Sequence, residues 1–565
     1  TSNGDQASVA GYYVPGDGGG GMFYWNSTSS GTDDAGSIIL PTGHVGAGRW
    51  IRIVNGSASV LMFGALAGAN SSVAIQAAID AYSLVRVNGS FLVETTINLN
   101  SGNSLIGDGI TSSVLTAAVS LGNTNLLASS AADNLLIDGI KFDGRNDAIT
   151  PIGNVQPEAT VFFDGGGTNI KVTNCHFARA LTVGLALDAT ALNNLTNIYV
   201  TDSLFDGSAR GGIFCKRIGT AIWIQRNVFN NTVNSTFSGA VNFDKPISIS
   251  AFTDIWITDN QIIQTIEGGP VIVEYDTVTT TASYDVHILN NTYHGTSAGQ
   301  GGGFKVGGAE RVWVENNSVI KCSVNGIYME GCIDAWVVNN YTEDTGRAGI
   351  ILAEDSVSET GNVPTRNYVT GNIIKNANLD GNTLGLPVSG GASEDSYGIH
   401  VRGPADYIYI RDNKFLSDGD TFNGIYIDSA HYEITGNNFR GLHANRITID
   451  NTAAAAPLSE FLILDNIQTA TTDVGKASLV SVTTLLVTPD TPPVNAALGD
   501  IQITLTSLMN GTIAYGYVSN AANNTFNIIL RTGSHGGTTN SGTITYNWSF
   551  DVSRVAVGRF GKTTH

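Results

Sequence analysis

The sequence predicts an all-β chain built on a right-handed parallel β-helix solenoid, and three observations lead there. First, a glycine followed by an apolar, outward, apolar, outward alternation recurs as "GLALDA" from Gly184, "GIFCKR" from Gly212, "GIYMEG" from Gly326, "GIILAE" from Gly349, "GIHVRG" from Gly398 and "GIYIDS" from Gly424. Second, an apolar-x-apolar-x-x-Asn-x-apolar strand recurs between these, as in "IWITDNQI" from Ile255, "VWVENNSV" from Val312 and "IYIRDNKF" from Ile408. Third, no helical periodicity separates the strands, and self-similarity at a period of a few tens of residues is the mark of a solenoid.

Aligning the second pattern places Asn227, Asn260, Asn291, Asn317, Asn340, Asn372, Asn413 and Asn437 in one column, after Cys175 and Ser203. Two residues later comes a second column: Phe177, Phe205, Phe229, Ile262, Tyr293, Val319, Thr342, Ile374, Phe415 and Phe439. Asparagine suits a tight corner because it tolerates the left-handed region and can hydrogen-bond along the stack. The aromatic and aliphatic column then fills the interior. A β-sandwich does not stack one column of identical residues this many times.

In chain order, residues 1–62 form a small N-terminal domain and residues 63–470 the β-helix. The stretch "NSSVAIQAAIDAYS", residues 70–83, is an amphipathic helix with Ser71 or Ser72 as N-cap, placed to plug the open end of the solenoid. "TPDTPPVN", residues 488–495, opens the C-terminal segment as a linker. Within 488–565, "GTIAYGYVSN", "NTFNIILRTG" and "GTITYNWSFDV" alternate like antiparallel strands between Gly/Asn turns, which predicts a sandwich-like domain that trimerises.

Composition narrows the function. The 42% of apolar residues recur in short regular runs, which excludes a disordered chain. A formal charge of -20 with no basic stripe excludes nucleic acid as the partner. No apolar run is long enough for a transmembrane helix, so no membrane insertion is expected. Cys175, Cys215, Cys322 and Cys332 have no metal-ligand spacing and read as buried thiols; neither a metal nor another cofactor is expected. The start has no signal peptide and no initiator Met, as in a fragment of a longer protein.

The opening "GYYVPGDGGGGMFYWN", with "DDAGSIILPTG" and "GRWIRI" after it, resembles the small domain that precedes the helix in bacteriophage tailspikes of the pectate-lyase-like β-helix group. "MFGALAGANSSVAIQAAIDA" and "NSLIGDGI" resemble the start of their β-helix. The resemblance implies a homotrimer on the virion tail, joined to the rest of the tail through a missing N-terminal segment. It also implies a depolymerase of a host capsular polysaccharide or O-antigen at the outer surface of a Gram-negative host such as Acinetobacter. In pectate-lyase-like proteins the sheet built from the glycine-led strands commonly forms the saccharide groove. That group has no universal catalytic motif, so the site rests on the residues themselves.

Side chains alternate across a strand, so positions two and four after each glycine face outward. Position four gives Asp188, Lys216, Asp244, Glu274, Gly307, Glu330, Ala353, Arg402 and Asp428; position two gives Lys305, Tyr328, Ile351, His400 and Tyr426 among others. The registers at 244 and 274 follow if Val241, Phe243, Val271 and Val273 point inward. Gly349 to Gly398 spans 49 residues, and its two insertions flank one strand, which places a cleft around Glu330, Ala353 and His400.

Glycoside hydrolysis needs two carboxylates. Glu330 with Glu354 or Asp355 would be a pair on adjacent coils, about 4.8 Å apart. Glu274 with Glu330 would be a pair two coils apart. The first suits a retaining and the second an inverting separation, and spacing alone does not choose. Tyr328, Tyr426 and Asp428 line the same row as binding positions, with Arg402 or Lys305 able to hold an acidic sugar. His400 with Arg402 or Lys305 keeps a β-eliminating lyase open, and a non-catalytic glycan-binding spike remains the third class.

Overall fold

A computed structural model describes residues 2–148, 159–188, 194–208, 211–216, 219–230, 245–250, 252–263, 270–274, 282–295, 302–322, 324–354, 362–377, 397–418, 423–429, 431–439, 442, 447–450, 460–464 and short strands between 485 and 532. The chain divides into two compact units, Thr1–Ile272 with Val278–Thr281, and Val273–Thr277 with Ala282–His565.

The first unit opens with a four-stranded antiparallel sheet in the order Gln6–Val9, Gly21–Asn26, Arg49–Arg52, Ile38–Ile39. Phe23 and Trp25 alternate inward while Met22 stays exposed on the opposite face. Arg52 is buried against the Phe23 ring, 4.5 Å from its centroid. Its guanidinium donates to the carbonyls of Gly36 (2.7 Å), Gly20 (2.7 Å), Gly19 (3.1 Å) and Met62 (3.2 Å). The last of these lies in the 3-10 turn Val60–Phe63, so one side chain bolts the N-terminal sheet to the start of the solenoid. A lysine keeps the charge but cannot fork to four acceptors. Arg52→Lys should therefore cost about 1–2 kcal/mol, read as faster unfolding, and a change below about 0.5 kcal/mol would remove the bolt.

The helix runs Ser72–Ala81 and buries Ile75, Ala78 and Ile79. Ser71 occupies the N-cap but makes no side-chain cap bond; the Asn70 carboxamide accepts from the Ser72 amide at 3.1 Å instead. Ser72 in turn accepts from the amides of Glu94 and Thr95, tying the helix to the next coil. Ala58–Ser59 already pairs in parallel with Leu84–Val87, so the first rung lies upstream of the helix. No helix among the described residues is long and apolar enough to cross a membrane.

From there each pass of the chain lays one strand on each of three parallel sheets. In the second unit one pass is Glu310–Glu315, Ser318–Cys322, Ile327–Glu330, and the next is Ile333–Val338, Tyr341–Thr345, Ile350–Ala353. The fold is thus a parallel β-helix. Its glycine-led strands form one sheet, in which Ile327 pairs with Ile350 and Ile350 with Ile399. The glycine slot has a steric cause: a Cβ at Gly326 would lie 2.6 Å from the Gly349 carbonyl oxygen, and one at Gly349 2.6 Å from Ile374 Cγ2.

The interior column stacks as expected. Phe177 and Phe205 lie 4.7 Å apart and near-parallel, Phe205 and Phe229 4.8 Å, and Phe415 and Phe439 4.8 Å. The asparagine column is buried and bonded from coil to coil: the Asn317 amide donates to Asn340 Oδ1 at 2.9 Å, and Asn340 to Asn372 at 2.8 Å. The left-handed backbone, however, falls one residue earlier than expected, on Asp259, Asn290, Asn316 and Asn339. The residue before the ladder makes the corner, which frees the ladder Asn to point inward. All four cysteines are buried and unbridged.

One register expectation is overturned. The coil containing Asp244 pairs through Lys245–Ser250, with Ile247 opposite Ile213 and Ile249 opposite Cys215. Val241, Phe243 and Asp244 precede this strand and lie outside the described residues. The alternation "ISIS" competes with "VNFD", and the β-branched residues take the rung. The sheet that contains Glu310–Glu315 and Ile333–Val338 carries an outward stack: His287, Trp313, Trp336, Tyr368 and Tyr409, near-parallel at 4.3–5.7 Å between neighbours.

Near the C-terminus, Thr512–Ala522 and Thr525–Thr532 form an antiparallel hairpin, flanked by Leu485–Val487 and Gln502–Ile503. The linker at 488–495 and the strand expected at "GTITYNWSFDV" lie outside the described residues.

Candidate active site

The second unit brings most of the expected residues together on the glycine-led sheet. Lys305, Tyr328, Ile351, His400 and Tyr426 occupy one row in register. Gly307, Glu330, Ala353 and Arg402 occupy the next.

Outward phase does not mean solvent exposure here. Glu330 is 4% exposed, His400 2% and Asp428 5%, so these three are corrected from surface to sheltered positions. The cause lies in their neighbours. Lys305 Nζ sits 2.9 Å from Glu330 Oε2 and 5.5 Å from the centre of the Tyr328 ring. The Tyr328 ring, two residues before Glu330 on the same strand, packs on Ala348, Ile351 and Ala353. Burial foremost, then the Glu330 charge, pushes the Tyr328 phenol well above its usual range, so it stays a donor. His400 forms a three-ring cluster with Tyr426, edge-on at 4.8 Å, and Tyr397 at 5.6 Å, the two tyrosine rings lying 5.0 Å apart.

Glu354 and Arg402 are the exposed charged groups of this region. The Glu354 amide donates to the Arg402 carbonyl at 3.3 Å. Its side chain lies across Gly403, where a Cβ would come within 3.2 Å of Glu354 Cγ and Cδ. Gly403, at φ 79°, thus leaves the space that the Glu354 side chain occupies. Glu354 follows Ala353, the residue opposite Glu330, so the two carboxylates belong to adjacent coils. Glu274 ends the strand Val271–Glu274, but its side chain, like Asp355 and both insertions around 355–361 and 378–396, lies outside what is described.

Two participants escaped the sequence reading. Tyr397 precedes a glycine slot and so fell outside the outward positions, yet it closes over His400. Gly403 had no signal beyond being glycine after a strand. Elsewhere, Lys375 bridges Glu343 (2.8 Å) and Asp418 (2.7 Å) on the second sheet, with Tyr341 donating to Glu343 at 2.8 Å.

Residues 1–55 match the family model described as the phage tail protein small four-stranded beta-sheet domain, the same span as the antiparallel sheet held by Arg52. The chain carries a phage tail domain. No curated protein sequence matches this chain. Among solved structures, it is similar to the mannuronan C-5 epimerase A-module of Azotobacter vinelandii, at 16% identity and TM-score 0.50, over 67% of this chain and 98% of that one. That likeness is one of fold. It is also similar to a full-length tailspike protein 2 from an Escherichia coli O157:H7 bacteriophage, at 15% identity and TM-score 0.42, over 77% of this chain. The chain spans 49% of that tailspike's length. A third similarity is to the catalytic unit of an α-1,3-glucanase from Streptomyces thermodiastaticus, at 12% identity and TM-score 0.47, over 75% of this chain and 71% of that one.

Proposed function

We propose that this tail protein is a spike that binds a bacterial surface polysaccharide, capsule or O-antigen, and cuts it internally by glycosidic hydrolysis. Glu330 and Glu354 are its working carboxylates. The observation that supports this reading is their placement: one buried, ion-paired carboxylate, and on the next coil one exposed carboxylate whose side chain lies across Gly403. Hydrolysis needs two such groups in different environments. The tail domain at residues 1–55 supports a place on the virion; action at the outer surface of a Gram-negative host is part of the proposal. Half-buried Tyr328 and Tyr426 with exposed Arg402 supply sugar-facing surface beside the pair. A homotrimer is part of the proposal, with the C-terminal strands contributing to assembly.

Elimination would need a base that reaches the sugar ring. His400, buried in a cluster with Tyr397 and Tyr426, is badly placed for that task. The deciding experiment incubates the purified protein with a panel of capsular and O-antigen polysaccharides. New saturated reducing ends are expected. Fragments with unsaturated ends would replace the hydrolase with a lyase, and polymer bound but uncut would leave only a binding spike. Sedimentation should give three chains per particle; a stable monomer at micromolar concentration would overturn the trimer.

A further inference from the structure

We propose that Lys305 is a positioning residue that holds Glu330 as the ionised member of the pair, which leaves Glu354 as the proton donor. This deepens the hydrolase reading and rests on it. The slot around Glu330 is built from what its neighbours lack. Its register partners are Gly307 on the preceding coil and Ala353 on the following one, and neither brings a charge or a long side chain. Into that space Lys305 reaches from the position opposite Tyr328, two residues before Gly307, and meets Glu330 Oε2 at 2.9 Å. Its side chain is 27% exposed and that of Glu330 5%, so the pair is largely withdrawn from water.

A carboxylate sheltered this far costs several kcal/mol unless a counter-charge and hydrogen-bond donors meet it. Lys305 supplies both, a counter-charge and an N–H donor 2.9 Å from Oε2. The other charged groups of the row are Arg402, two coils on from Glu330, and Glu354 beside it. Arg402 is exposed, and no ion pair joins it to a carboxylate among the described residues. Glu354 is exposed, its side chain lies across Gly403, and no ion pair engages it among the described residues.

The chemistry then divides cleanly. The Glu354 carboxyl proton passes to the leaving oxygen as the bond from that oxygen to the anomeric carbon breaks. Glu330 either takes a proton from the water whose oxygen bonds to that carbon, or bonds the carbon itself and is released by water in a second step. In both cases one water is consumed, one glycosidic bond is lost and the proton balance is restored through solvent.

The test uses the full chain and a polysaccharide that the wild-type protein cleaves. Lys305→Met should lower kcat about 100-fold while KM changes less than about threefold, because the residue acts on Glu330 and not on the glycan. Lys305→Arg should recover kcat to within about tenfold of wild type, since it restores the charge. Formate should restore part of the turnover of Glu330→Ala and none of that of Glu354→Ala. Wild-type kcat in Lys305→Met overturns this inference and leaves the hydrolase standing. So does an equal loss in Lys305→Met and Lys305→Arg, which would make the residue a packing element. Formate rescue of Glu354→Ala alone reverses the assigned roles. A wild-type protein that binds the panel and cleaves nothing overturns the hydrolase reading and this one together.

Discussion

Glu330→Gln should still bind the polysaccharide while releasing almost no oligosaccharide, with kcat lower by at least about 100-fold and up to about 10,000-fold. The amide fills the same slot between Gly307 and Ala353 but no longer carries the charge that meets Lys305. Its partner emerges by comparison. A loss of the same order in Glu354→Gln fits the adjacent pair. A loss in Asp355→Asn or Glu274→Gln, with Glu354→Gln active, moves the second carboxylate to that position. The configuration of the first-formed product is an independent check, retained for a pair on adjacent coils and inverted for one two coils apart. If all of these variants cleave normally, the catalytic groove is not on this sheet.

Asn340→Ala should destabilise the protein by about 3 kcal/mol, the upper end of what a lost buried polar network costs. The Asn340 carboxamide accepts from the Asn317 amide at 2.9 Å and from its side chain at 3.0 Å. It donates to the Val314 carbonyl at 2.8 Å and to Asn372 Oδ1 at 3.0 Å. Alanine strands each of these groups in an interior that water does not reach, since Asn317, Asn340 and Asn372 are all at most 1% exposed. A large chain of this kind is best compared through unfolding rates. A change inside about 0.5 kcal/mol would mean that these asparagines are not where the ladder places them.

The ladder was legible because each rung demands one residue type at one position, and the chain writes it repeatedly. The stacked phenylalanines were legible for the same reason. Where two period-2 alternations competed, as "VNFD" and "ISIS" do, the pattern alone could not pick the rung. The site divides in the same way. Membership of the row could be read, because phase along a strand is local. Shelter could not, because Glu330 owes its burial to Lys305 and Tyr328, and to Gly307 and Ala353 on the neighbouring coils, while His400 owes it to Tyr397 and Tyr426. Those contacts are properties of the stack. The charged pairs that decorate the sheet of the aromatic stack, Asp285 with Arg311 and Asp334 with Arg366, left no mark in the sequence reading either. Each joins residues a whole coil apart.

The asparagine ladder also has a direction. Every rung offers its oxygen backward: Asn317 serves Asn291, Asn340 serves Asn317, Asn413 serves Asn372. A coil is therefore finished by the coil that follows it, after a further 23 to 41 residues of chain. On the ribosome this makes the newest coil always the incomplete one, with a buried-side amide waiting for an acceptor not yet translated. Folding in step with synthesis then proceeds like a zip pulled from the N-terminus, each tooth locked by the next. A chain cut short within the ladder would keep its earlier coils satisfied and leave one open amide at the break, a point where another chain's asparagine would fit as well as its own.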